Sequence, residues 1–289
     1  MIGAYKIITW AVIIVVWVLL ISLYTAYMAT HPPRQPIDAT PKDINLDYES
    51  VSFDTEDGVE IKAWFIPAEA KTKLTVIALH GYPFNKANIL GFARFLHEDY
   101  NLLFFDFRAM GESAGRLTTG GLNEQKDLAA AIKYLKEKKN ITKVGTLGFS
   151  LGAAVSILSA KDNPEIKAIV SDSGYATLDR IIRSMYRQFF FFKAPFVKGS
   201  EFFAKVLFGI DVAKVSPLDE IKQMNVPILF IHGEKDSQIP VENSKLLYEA
   251  ANQPKELWII KEADHGESHY LKGKEYERRV LEFFYKHLG

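Results

Sequence analysis

Gly148-Phe149-Ser150-Leu151-Gly152 is the stretch whose reading decides the fold. The run before it, Lys143-Val144-Gly145-Thr146-Leu147, is apolar and partly β-branched, as suits a buried strand. The run after it, Ala153 to Ala160, is small and helix-compatible. A strand, then Gly-x-Ser-x-Gly, then a helix is the pattern of a nucleophile elbow. At such a turn the serine backbone is strained and its hydroxyl projects from the sheet edge. Glycines two residues to either side remove Cβ atoms that would collide. The following helix adds the positive end of its dipole.

A neutral hydroxyl is a poor nucleophile, so a base and an orienting carboxylate are expected downstream, in the order serine, acid, histidine. Two later runs end in suitable loops. Val226-Pro227-Ile228-Leu229-Phe230-Ile231 breaks at His232-Gly233 and leaves Asp236 just beyond. Leu257-Trp258-Ile259-Ile260 breaks before Ala263-Asp264-His265-Gly266. The C-terminal ends of parallel strands meet at one sheet edge, so Ser150, Asp236 and His265 can converge there.

Each of these residues has competitors. Asp236 could instead be a turn former or the cap of a helix starting near Pro240. Asp172, which ends Ala168-Ile169-Val170-Ser171-Asp172, is a rival acid, and Asp264 adjoins His265 but is poorly placed to face its ring. His269, His80 and His232 are rival bases; His80 lies before the elbow and His232 reads as structural.

Acyl transfer also needs two backbone N–H groups aimed at the developing oxyanion. Leu151, next after the serine, is one expected donor, and Tyr82, in the loop that follows Leu74 to Leu79, is the other.

From about Tyr48 to the C-terminus the chain resembles the α/β-hydrolases, in the branch of single-domain serine hydrolases and serine-aminopeptidase-like proteins that includes the Bem46 group. The resemblance is carried by Leu79-His80-Gly81-Tyr82, Phe105 to Ser113, the elbow, Ile231 to Asp236 and Ala263-Asp264-His265. One departure is Ala109, where relatives usually have glycine. The resemblance implies an α/β fold with a mostly parallel eight-stranded sheet, acyl hydrolysis through an acyl-enzyme intermediate, and no cofactor or metal.

Composition agrees with one catalytic domain. The 289 residues are 48% hydrophobic, enough for a substantial core. The 35 basic and 35 acidic residues balance, which leaves no overall electrostatic footprint for nucleic acid. The absence of cysteine excludes a thiol nucleophile and disulfides.

Residues 1–30 read as a transmembrane anchor. Ile7 to Met28 carries no charge, and its length of about 33 Å suffices for a bilayer core. Trp10 near one end and Tyr24 and Tyr27 near the other suit the interfaces. A cleaved signal peptide would be shorter and end in an Ala-x-Ala-like site. Lys6 precedes the segment and Arg34 and Lys42 follow it, a near balance. A short basic tail favours an anchor that leaves its N-terminus inside, which makes the catalytic domain extracytoplasmic.

Residues 31–47, opening His31-Pro32-Pro33-Arg34-Gln35-Pro36, read as a stiff linker, and 48–289 as the hydrolase. Strands are expected at Glu49 to Asp54 and Val59 to Ile66, and amphipathic helices at Lys126 to Lys139 and Tyr276 to His287. Residues of about 175–222 form a helical insertion containing Phe189 to Phe192, Phe196, Phe202, Phe203 and Phe208. Half of these aromatics are expected to pack on the core, and the rest to form a cap that favours an apolar acyl group and leans on lipid, with Lys193, Lys198 and Lys205 among them.

The expected activity is therefore that of a membrane-anchored serine hydrolase acting on an ester or thioester of a small or lipid-like acyl substrate. Two alternatives are an aminopeptidase or amidase, which would need an acidic group to hold the substrate amine, and a catalytically silent binding protein on the same fold.

Overall fold

In a computed structural model of the protein, residues 2–289 are described, with side chains from Tyr5 onward. Eight short apolar runs become strands: β1 (Glu49–Asp54), β2 (Glu60–Ile66), β3 (Thr75–Leu79), β4 (Asn101–Phe105), β5 (Val144–Phe149), β6 (Ile166–Asp172), β7 (Ile228–Gly233) and β8 (Lys255–Ile260). They form one sheet in the order β1-β2-β4-β3-β5-β6-β7-β8. Only β2 runs antiparallel to its neighbours β1 and β4, and the remaining pairs are parallel.

The helices are α1 (Ile2–Thr30), α2 (Lys86–Ala93), α3 (Glu124–Lys139), α4 (Leu151–Ala160), α5 (Leu178–Met185), α6 (Lys193–Phe208), α7 (Pro217–Glu220), α8 (Glu242–Ala250), α9 (Ser268–Lys272) and α10 (Lys274–His287). Two hydrophobic layers flank the sheet. Ile77 and Leu79 face α3 and α4, whereas Val76 and Ala78 face α2 and α10. The two-residue period of a strand thus feeds two cores from one segment. With both faces covered, β3, β4 and β5 are buried along their whole length.

Strand ends shift by small amounts from the sequence expectation. The elbow strand runs on through Gly148-Phe149 because Phe149 still pairs with Asp172 of β6. The strand expected from Val226 starts only at Ile228, since Pro227 has no N–H for the ladder.

The insertion after β6 is helical, and its aromatics divide. Phe189, Phe196 and Phe208 join a third cluster with Ile182, Tyr186 and Val197, whereas Phe190, Phe191, Phe192 and Phe202 are exposed. Val18 and Ile21 of α1 pack against that cluster. From Tyr5 to Trp17 α1 is exposed all round; beyond that, Ser22, Ala26 and Thr30 are buried on one stripe. The stripe lies on α6, where a Cβ on Gly199 would collide with the Ser22 hydroxyl. Ser22 Oγ donates to the Phe196 carbonyl at 3.1 Å, and Ser200 Oγ donates to the Ser22 carbonyl at 3.0 Å. The stretch expected as a linker is a docked strap. Arg34 donates to the carbonyls of Gly111, Ser113 and Gly115, and Asn85 Nδ2 donates to those of Gln35 and Pro36.

Candidate active site

Parallel register brings four loops to one edge. Leu79 pairs with Gly148, Phe149 with Asp172, Asp172 with Ile231, and Gly233 with Ile260. The residues immediately after these strand ends include Tyr82, Ser150, Asp236 and His265.

Ser150 stands between β5 and α4 with φ 54° and ψ −111°, a conformation a non-glycine residue adopts only under constraint. Its N–H donates to the Asp172 carbonyl at 2.9 Å, which fixes the turn against the sheet. A Cβ on Gly148 would strike the Gly152 carbonyl, and one on Gly152 would strike the Leu79 carbonyl, so both flanking glycines are required by close approach. The hydroxyl sits at the N-terminus of α4, where partial positive charge collects.

Asp236 and His265 meet directly: His265 Nδ1 donates to Asp236 Oδ2 at 2.7 Å. The other carboxylate oxygen accepts from the N–H groups of Gln238 at 3.0 Å and Ile239 at 2.7 Å. Burial opposes charge on Asp236. Hydrogen bonds from His232 and His265, the charge of His265 and the Ile239 N–H outweigh it and hold the carboxyl well below the usual carboxylate range. An ionised acceptor keeps the proton of a neutral His265 on Nδ1 and leaves Nε2 to accept. The His265 ring lies 4.8 Å from that of Phe149, beside the elbow. The described residues include no hydrogen bond between Ser150 Oγ and His265 Nε2. In unliganded sites such contacts are often long and tighten only with substrate.

The rival residues have other work. Asp172 is fully buried and accepts hydroxyl hydrogen bonds from Ser173, Ser268 and Tyr276. Burial raises its pKa. His80 is buried, with Nε2 accepting from the Phe107 N–H at 3.0 Å and Nδ1 donating to the Gly81 carbonyl at 2.8 Å; burial lowers its pKa. His269 lies against Phe95 and Tyr276 and reaches Glu277. The Asp264 carboxylate is taken up by backbone N–H groups and a hydroxyl. It accepts from Ser237 and from the His265 backbone N–H, and so clamps the acid loop to the histidine loop.

Two contacts of residues named in the sequence reading were not foreseen there. His232, placed there as structural, lies with Nε2 3.3 Å from Asp236 Oδ2 while also donating to the Ile239 carbonyl at 2.7 Å. Tyr82 is tied through its hydroxyl, which donates to the Met28 carbonyl of α1 at 2.8 Å. Its neighbour Gly81 lies so close that a Cβ there would be 3.1 Å from the Ser150 Cβ, so this loop crosses directly over the elbow. Leu151, the other expected donor, opens α4.

The eight-stranded sheet and this edge define a hydrolase fold, and the comparisons agree. A family model described as the alpha/beta hydrolase fold matches residues 75–192. An uncharacterised Bacillus subtilis protein, YqkD, is 32% identical over 78% of this chain and 75% of its own length. The Schizosaccharomyces pombe protein bem46 is 27% identical over 72% of this chain and 67% of its own. Among solved structures, an esterase of Pyrococcus furiosus superposes with a TM-score of 0.76 at 31% identity, over 90% of this chain and 99% of that one. The chain belongs to the α/β-hydrolase family.

Proposed function

We propose that the protein is a membrane-anchored serine hydrolase that cleaves carboxylic ester or thioester bonds through an acyl-enzyme intermediate. The observation that carries this reading is the His265 Nδ1 hydrogen bond to a buried, ionised Asp236 at the sheet edge where Ser150 forms the elbow. Ser150 Oγ attacks the carbonyl while His265 Nε2 takes its proton. Asp236 holds the tautomer and stabilises the imidazolium. The N–H groups of Tyr82 and Leu151 receive the oxyanion; each such donor is worth about two to three orders of magnitude in rate. His265 then returns the proton to the leaving alcohol or thiol, and water repeats the cycle on the acyl-enzyme. The esterase among the structural relatives supports ester chemistry. An amidase would need a free acidic group for the substrate amine, and Glu112 is engaged by Lys86 Nζ at 2.6 Å.

In this reading α1 is an uncleaved anchor and the catalytic domain lies outside the cytoplasm. The mean hydropathy of α1 supports a span. Its last turns support retention, since removing them would strip the Ser22 contacts from Phe196 and Ser200 of α6 and leave the Tyr82 hydroxyl without the Met28 carbonyl. Acyl groups of lipid-like esters are the substrate chemistry such a placement favours. The test is hydrolysis of p-nitrophenyl esters from short to long acyl chain beside aminoacyl p-nitroanilides, with fluorophosphonate labelling of wild type and Ser150→Ala. Labelling lost in the variant and turnover confined to esters are expected; an unlabelled wild type would overturn the assignment. Protease shaving of intact cells tests the side: a domain resistant until lysis would reverse the orientation.

A further inference from the structure

We infer that the cap is a second membrane-contacting element, with the Phe190-Phe191-Phe192 turn inserted into the leaflet that α1 leaves. The inference rests on α1 being an anchor and does not depend on the chemistry at Ser150.

Depth follows from the packing of α1. Lys6 bounds the apolar segment on one side, and from Ile7 to Trp17 the helix is free all round, a rise of about 16 Å. A hydrocarbon core of about 30 Å needs roughly 20 residues, which carries it from Ile7 to about Ala26. Over that last part α1 is not free, because Val18, Ile21, Ser22 and Ala26 lie against the cap. Whatever packs there enters the bilayer with it.

The cap is oriented for that entry. Ser22 meets Phe196 and Ser200, and farther along α1 His31 meets Phe208, so α6 runs in the same direction as α1. The start of α6, with the turn that precedes it, is therefore the end that points into the membrane. Phe189 closes the packed cluster that includes Val18, stacked on Phe196 with ring centroids 4.4 Å apart. The next three side chains are bare, at 76%, 96% and 77% exposure. Three adjacent exposed phenylalanines, next in sequence to the cluster on which α1 packs, form an apolar turn, and the occupant that matches it is a phospholipid leaflet. Arg187 and Lys193 flank the run, and the long stem of Lys193 suits a cation that snorkels to headgroups. Immersion of an interfacial element by about 5–10 Å, with local bilayer thinning for the remainder, accounts for the shortfall in free helix. Arg187 Nη1 also donates to the carbonyl of Ser237 at 2.8 Å, next to Asp236, so the inserted turn is tied to the acid loop.

The chain has no cysteine, so Phe191→Cys supplies a single thiol for an environment-sensitive nitrobenzoxadiazole probe. The full chain is placed in phosphatidylcholine–phosphatidylglycerol nanodiscs and compared with Lys133→Cys, exposed on α3. Both proteins are checked for a wild-type unfolding midpoint, and Phe192→Cys serves as a second position should one fail. The inference expects blue-shifted emission at position 191, quenching by lipid carrying a doxyl group high on its acyl chain several-fold stronger than at 133, and protection from iodide. A reconstituted full chain whose 191 probe behaves like that at 133 overturns the insertion. A shortened chain recovered outside the discs, shown by intact mass, overturns the anchor and this inference with it.

Discussion

Replacing Asp236 by asparagine tests the proposed chemistry most sharply, because the surroundings of the carboxylate dictate how an amide must sit. Oδ1 accepts from two backbone N–H groups, those of Gln238 and Ile239. An amide NH2 cannot accept, so the asparagine oxygen has to stay there. Its NH2 then faces His265 Nδ1 and also lies near His232 Nε2, itself a donor to the Ile239 carbonyl. His265 can meet a donor at Nδ1 only by moving its proton to Nε2, and an Nε2–H cannot take the proton of Ser150. The expected fall in kcat/KM is about a thousand- to ten-thousandfold, or roughly 4–5.5 kcal/mol of transition-state stabilisation.

Asp172→Asn is the matched control. Its three partners, Ser173, Ser268 and Tyr276, are hydroxyls that can rotate to suit an amide. The expected change in kcat/KM is less than about tenfold. Both variants are compared on p-nitrophenyl butyrate, with thermal unfolding followed to confirm folding. A well-folded Asp236→Asn within tenfold of wild type, or the reverse ranking of the two, would refute the role given to Asp236.

Ser150→Ala should keep its fold yet lose nearly all turnover; more than about a tenth of the wild-type rate remaining would mean a different nucleophile. Ala109→Gly should stabilise the protein by about 1 kcal/mol, because Ala109 holds φ 62°. A Tm that rises by about 2–4 °C with unchanged kinetics is the expected readout, and a fall would show that the turn is not strained. The His80 contribution to stability should decline as pH drops below about 6.5, since burial depresses its pKa in the folded state and the unfolded chain binds the proton first. Asp236, also depressed, adds to that loss below about pH 3.9. Asp127 contributes in the opposite sense, its carboxyl pushed up to about 7 by burial. Urea midpoints of wild type and His80→Gln from pH 7.5 to 5 check the first part, the wild type falling relative to the variant as pH drops.

The elbow was legible because its requirement is steric and local: two glycines two residues from a serine, between a strand and a helix. The meeting of Asp236 and His265 was legible at longer range because parallel register aligns strand ends whatever lies between them. The strap was not. Arg34 binds the carbonyls of Gly111, Ser113 and Gly115, and a backbone acceptor leaves no mark in the residue types that present it. His232 gains its place beside Asp236 from the turn through Ile239, which a strand-end histidine does not reveal. The aromatic run could not be divided by period either. Phe189 to Phe192 lies in a kinked 3-10 turn, where neither the helical nor the strand repeat decides which ring faces inward.

The contact between Gly199 and Ser22 ties two distant parts of the sequence to one evolutionary fate. A descendant that discarded α1 would uncover the face of α6 that carries Gly199 and Ser200, and polar substitutions around it should accompany the loss. Position 199 would at the same time be released from glycine, since the hydroxyl that excludes a Cβ would be gone. Among homologues, drift at that one helix position should therefore report whether the first thirty residues are still in use.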